Sequence, residues 1–364
     1  MHLPWTKRAV EHVRGLWAWL SRRPRYAPFA PDRGIQSLKS GYLLVDFIEK
    51  DQGTLLSSMW PPDTITQKHN FYRSLSQVML DLARRPLEKI GSFTVHDSGE
   101  ISLSNRPLTL RIPLLGSEGI PTNIPRDRCY STVDSYLHDL RNCLDLKLKH
   151  QPNSVRDRSD AEGQMAVLTT LRALLPDLIQ GDLRHGPFIY TLTDLQPSNM
   201  FVDQQYSITS IVDIEWCCSL PVEAQHPPFW LSGHMVDDLQ GEEEKAFDDM
   251  WEEFLTIFEQ EDKKHSILGS GFCSKVMRIA HRKKSHWLWA SLKEPRAMND
   301  IILDHLQPQF APTLSAEEAI RFQQVMARLW CRDADDFIQQ KLDDRHSYVE
   351  QLRSTYRDQV PSTL

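Results

Sequence analysis

Two rhythms of apolar residues divide this chain. Phe71, Tyr72, Leu75, Val78, Met79 and Leu82 recur at helical spacing, which predicts a helix over about 64–84. Val133, Tyr136, Leu137, Leu140 and Leu144 predict a second, with Ser131 or Thr132 as its N-cap. A third runs from about Asp160 to Ile179, with Leu168, Leu171 and Leu175 turned inward. Over 242–259, Phe247, Met250, Trp251, Phe254, Leu255 and Phe258 share one helical face. The shorter rhythm is that of strands. Gly41-Tyr-Leu-Leu-Val-Asp-Phe-Ile48 reads as a buried strand, and Phe93 to Leu103 as a hairpin turning at Asp97-Ser-Gly99. Phe188–Leu192 leads into a polar loop, Asn199–Val202 leaves it, and Ile208–Val212 follows a turn at Asp203–Ser207. The expected class is therefore α+β, mostly helical.

Charge changes the picture at both ends of this pattern. The first 35 residues hold seven Lys/Arg against Glu11 and Asp32, and residues 5–20 could form an amphipathic helix. A mitochondrial presequence has a similar composition; a helix or loop of the folded domain is the preferred reading. Residues 237–262 carry twelve Asp/Glu and one Lys, and 263–296 carry nine Lys/Arg against Glu294. Solvated helix faces are the simplest account of that alternation. The formal charge of −7 argues against a nucleic-acid binder. No run of 18 apolar residues exists, so no membrane partner is expected. The six cysteines show no paired or zinc spacing, which predicts reduced thiols in a cytoplasmic protein.

The chemistry concentrates in Thr193-Asp194-Leu-Gln-Pro-Ser-Asn199 and Ile211-Val-Asp213-Ile-Glu215-Trp216. Phosphoryl transfer to an alcohol needs a carboxylate to aim the hydroxyl and hard oxygen ligands for Mg²⁺. An Asp and an Asn at the ends of a tight loop, with a second Asp closing the next strand, supply that set. An ordinary turn is the competing reading of the Asp-x₄-Asn spacing alone. Glu215 is either a further metal carboxylate or a surface acid.

These segments, with Pro227-Pro-Phe-Trp-Leu231, resemble the aminoglycoside phosphotransferase / choline kinase-like superfamily, in particular its large fungal phosphotransferase enzyme branch. Gly41–Ile48, Ile90-Gly-Ser-Phe93 and Tyr130–Tyr136 fit it more weakly. The resemblance implies a protein-kinase-like two-lobe fold with ATP in the cleft and a small-molecule hydroxyl as acceptor. It makes Asp194 the catalytic base, Asn199 a Mg²⁺ ligand and Asp213 the carboxylate bridging metal and phosphates, with the catalytic loop 193–199 in a short β-hairpin. Two departures stand out. Leu192 occupies the position where the family usually has His. Only residues 1–40 precede the expected hinge strand, with no Gly-rich loop, and Lys7 and Lys39 are the lysines among them. The expected division is thus an N-lobe remnant over 1–48 and a helical C-lobe over 49–364, the N-lobe being incomplete. The alternative function is a catalytically inactive pseudokinase or truncated paralogue that binds or scaffolds.

Overall fold

The computed structural model of the chain describes residues 47–96, 100–265, 268–294, 297–312 and 314–356, with Val13, Trp17 and Leu20 as helical positions before them. The expected helix over 5–20, Lys7, Lys39 and most of the expected strand Gly41–Ile48 otherwise lie outside the described residues. So does the hairpin turn Asp97–Gly99.

Local chemistry accounts for the first helix, α1, Ile65–Ala83. Thr64 and Gln67 form a reciprocal capping box that satisfies the first orphan N–H groups. Phe71, Tyr72, Leu75 and Met79 are its buried face. A short α2, Arg111–Ser117, precedes α3, Val133–His150, which Thr132 caps. Asp157 caps α4, Arg158–Leu178. The remaining labelled helices are α5, Glu242–His265, α6, Phe272–Arg282, α7, His286–Lys293, α8, Ala316–Trp330, and α9, Ala334–Thr355. α1 packs along α5, and α4 along α8.

The strands are short and wholly antiparallel. β2, Ser92–Val95, and β3, Ile101–Asn105, form the expected hairpin. β1, Thr54–Leu55, β5, Met200–Val202, and β6, Ile208–Ile211, form a three-stranded sheet in the order β1-β5-β6. β4, Phe188–Leu192, pairs with β7, Cys217–Pro221. The architecture is α+β with small antiparallel sheets set among helices.

Three expectations change. Phe47 and Ile48, the described end of the expected buried strand, form no strand, and Phe47 is exposed. The chain enters the sheet a few residues later, at β1. Gly53 is needed there because a Cβ would sit 2.4 Å from Thr209 Oγ1 and 3.2 Å from Phe201 Cβ. Second, the loop 193–199 is not the tip of a β-hairpin: β4 pairs with β7 and β5 with β6, so the loop passes from one sheet to another. Third, the acidic face of α5 is not simply solvated. Arg278 bridges Glu252 and Glu259, His281 contacts Asp248 and Glu252, and Lys284 reaches Glu244. Lys68 of α1 takes Glu253 from the other side. The acidic and basic blocks of the sequence are the two sides of an interhelical ladder.

One further buried cluster joins three helices. Asp145 of α3 accepts from Arg141 at 2.7 Å, from Arg172 of α4 at 3.3 Å and from the Trp330 indole of α8 at 2.7 Å.

Candidate functional site

The loop between the two sheets is built by its own backbone. At its start the Thr193 N–H donates to the Trp216 carbonyl at 3.0 Å, and the Thr193 hydroxyl donates to the same oxygen. This extends the β4–β7 pairing by one residue. The Asp194 carbonyl then accepts twice, from Gln196 N–H at 3.1 Å and from the Asn199 side-chain amide at 3.1 Å. Pro197 opens the 3₁₀ turn Pro197–Asn199, where its missing N–H costs nothing. Asn199 N–H closes the turn on the Gln196 carbonyl at 2.9 Å.

The second strand of the motif is brought in by another backbone bond. Val212 N–H donates to the Asn199 carbonyl at 2.9 Å, which sets Asp213 beside Asn199. Asp213 sits at φ 54° and ψ 47°. This left-handed conformation is rare outside Gly and enriched in Asp and Asn. It ends β6 and swings the chain into the turn Ile214–Trp216, which carries Glu215.

Asn199 is buried, Asp194 is intermediate, and Asp213 and Glu215 are exposed. Partial burial raises the Asp194 pKa above the ordinary carboxylate value. The Asn199 amide opposes that rise, while the negative charges of Glu215 and Asp213 add to it. Three carboxylates therefore share one electrostatic neighbourhood. Among the described residues, no Lys or Arg forms an ion pair with any of them. Among the described residues, too, no group of three or more His, Cys, Asp or Glu side chains is arranged to hold a metal ion by itself. The Asn199 amide oxygen accepts from Ser198 at 3.2 Å and keeps a second lone pair. Asn199 and Asp213 thus lie on neighbouring strand ends, and each carries a hard oxygen donor. That donor set suits Mg²⁺, which keeps most of its waters and binds chiefly through a nucleotide's phosphates.

Behind the loop lies a cavity of about 420 Å³. Thr193, Leu195 and Gln196 of the loop line it, with Tyr190 of β4 and Val78, Met79 and Leu82 of α1. The segment containing Pro227–Leu231 forms another wall. Within it the Trp230 indole N–H donates to the Leu195 carbonyl at 2.8 Å. The same indole packs edge-on against Trp60, centroids 5.0 Å apart. Trp230 is therefore a brace for the residue next to Asp194 as well as a wall of the cavity.

Of the residues singled out in the sequence, Asp194, Asn199, Asp213 and Glu215 come together in one place. Sequence reasoning missed the far wall of the cavity: Gln225, His226 and Lys293. A signal for Lys293 was present, since it ends the run Trp287–Leu292, whose residues are all buried. Counting it within the basic stretch 263–296 hid that position.

No protein-family model, curated protein or solved structure matches this chain. The six cysteines are free thiols. Among the described residues, no helix is long and apolar enough to cross a membrane.

Proposed function

We propose that the chain is a phosphotransferase of protein-kinase-like fold that moves the γ-phosphate of ATP to a hydroxyl of a small molecule. The observation that carries this reading is the placing of Asp194, Asn199 and Asp213 around one tight loop whose neighbours line a cavity. The sequence motif required only their spacing; the backbone bonds bring them together.

Asp194 acts as the base. A carboxylate whose pKa is raised by partial burial and by two neighbouring anions is better suited to accept a proton than an ordinary one. Its main-chain carbonyl, held by Gln196 N–H and the Asn199 amide, fixes the backbone that carries this carboxylate. The acceptor hydroxyl would lose its proton to Asp194 as its oxygen bonds the γ-phosphorus, while the bond from that phosphorus to the β–γ bridging oxygen breaks and ADP leaves. Asn199 and Asp213 would hold the Mg²⁺ of a bound Mg-ATP, and that ion would supply charge to offset the charge developing on the phosphoryl group. The test is a thermal melt. Mg²⁺ with ATP should raise the Tm, Mg²⁺ alone should barely do so, and Asp213→Asn should remove the nucleotide-dependent part. Equal shifts with metal alone in wild type and variant would defeat the reading.

A second reading is a binding protein that keeps the loop but does not transfer phosphate. The absence of a Lys or Arg partner for the three carboxylates among the described residues favours it, because a triphosphate is normally clamped by cations. It expects no ATP-dependent shift in Tm and no effect of Asp194→Ala on any turnover.

A further inference from the structure

The far wall of the cavity has its own logic. The His226 ring nitrogen Nδ1 lies 2.9 Å from the Pro227 carbonyl, which can only accept, so Nδ1 carries the proton. Nε2 is then an acceptor, and Lys293 Nζ lies 3.5 Å from it. Burial, with the nearby Lys293 charge, pushes the His226 pKa down to about 3, so the ring stays neutral. Burial also lowers the Lys293 pKa, opposed by the Glu294 charge, and its hydrogen bond to His226 is a long one to an uncharged partner. Among the described residues it pairs with no carboxylate. Glu294 and Asp237 line the same cavity but are exposed. Much of the cavity wall is apolar, with Met79, Leu82, Phe229, Trp230 and Ala290 among its residues.

Gln225 also lines the cavity, but its side-chain oxygen is closed off from it. Gln225 is 5% exposed, and its Oε1 has no hydrogen-bond partner among the described residues. Its amide nitrogen reaches the Met79 carbonyl at 3.5 Å. An ammonium without a paired carboxylate in a largely apolar cavity is costly without an occupant.

We propose that this cavity binds a small molecule with an apolar body and a carboxylate held by Lys293. A volume of about 420 Å³ is of ligand size, within the roughly 300–1,000 Å³ of small-molecule pockets. A single ammonium neutralises a monoanion and leaves a dianion uncompensated, so a carboxylate fits better than a phosphate monoester. Binding of this class needs nothing from Asp194. That the bound molecule is also the phosphate acceptor rests on the phosphotransferase reading.

The experiment compares three probes of one shape by titration calorimetry, without nucleotide: 3-(4-hydroxyphenyl)propionate, its primary amide and tyramine. The propionate should bind at least about tenfold more tightly than the amide, since a charge-assisted hydrogen bond replaces a neutral one. Tyramine should bind most weakly. Lys293→Met should bring the propionate to the level of the amide, and Lys293→Gln gives the same comparison if the Met variant does not fold. Asp194→Ala should keep the full preference, which separates this result from the fate of the phosphotransferase reading. Equal affinity for acid and amide in wild type, preference for tyramine, or no saturable binding of the acid up to about 10 mM would overturn the proposal.

Discussion

Asp145 and Asp194 are the same residue in opposite surroundings. Asp145 is buried where three helices meet, and two guanidinium groups and an indole N–H satisfy it. Asp194 sits in a loop between two small sheets, with two carboxylates nearby and one amide opposing their effect. A paired buried carboxylate fixes packing. A crowded, partly buried one holds its proton more readily and is ready to exchange it. The helical junction is thus built for permanence, while the loop keeps its aspartate crowded and partly open, although each turns on the same residue type.

The sharpest way to break the contrast is to remove each aspartate in turn. Asp145→Ala leaves Arg141 buried beside an unpaired Trp330 indole, so it should cost about 3–5 kcal/mol of stability. Urea melts monitored by circular dichroism would measure this, and a loss below about 1 kcal/mol would show that the cluster does not anchor the helices. Asp194→Ala should do the reverse. Stability should stay within about 1 kcal/mol of wild type or rise, because repulsion is relieved. Phosphate transfer should fall by about 10²- to 10⁴-fold.

Glu223 lies between these extremes. It is buried, with Oε2 accepting from the Gln180 N–H at 3.1 Å and Oε1 without a partner among the described residues. Burial lifts its pKa from 4.5 to about 7. Between those values the folded chain keeps a proton that the unfolded chain has released, so this group's contribution to stability falls as pH rises and levels off above about 7. Glu223→Gln should therefore gain on wild type from pH 5 to pH 8, reaching about 3 kcal/mol at most. Parallel melts across that range decide it, and a constant difference would mean that Glu223 is ionised throughout. The smallest effect belongs to Trp230→Phe. It keeps the aromatic wall but removes the hydrogen bond to Leu195, at about 1 kcal/mol. Its sharper readout is transfer activity, which should fall more than stability does if the brace aims Asp194.

What the sequence made legible follows from distance along the chain. The α1 helix was readable because its capping box and apolar face lie within one segment. Val133 was placed at the start of α3 by the same local logic. The Asp-x₄-Asn spacing was visible because its bonds close within six residues, from Asp194 to Asn199. The pairing of β4 was not readable, since Leu192 meets Cys217 across the whole loop and the next two strands. A hairpin was the nearest guess, and register over such a separation is set by tertiary packing. The acid–base ladder was invisible for the same reason: charge runs show composition, while Arg278 and Glu252 meet only because α5 and α6 pack together. Pro113 sits inside α2, where a helix was not expected, and its place near the N-terminus makes it tolerable.

The Trp230 indole has a consequence beyond bracing. One side of it is cavity wall, and its N–H is tied to the carbonyl next to Asp194. An occupant that presses the ring into place tightens that tie, and one that pushes the ring aside breaks it. Filling the cavity and ordering the loop are then a single equilibrium seen from two ends, and by linkage each must favour or oppose the other by the same free energy. An indole at the junction also makes that equilibrium visible, because the part of the emission of the ten tryptophans that Trp230→Phe removes would report on both events at once.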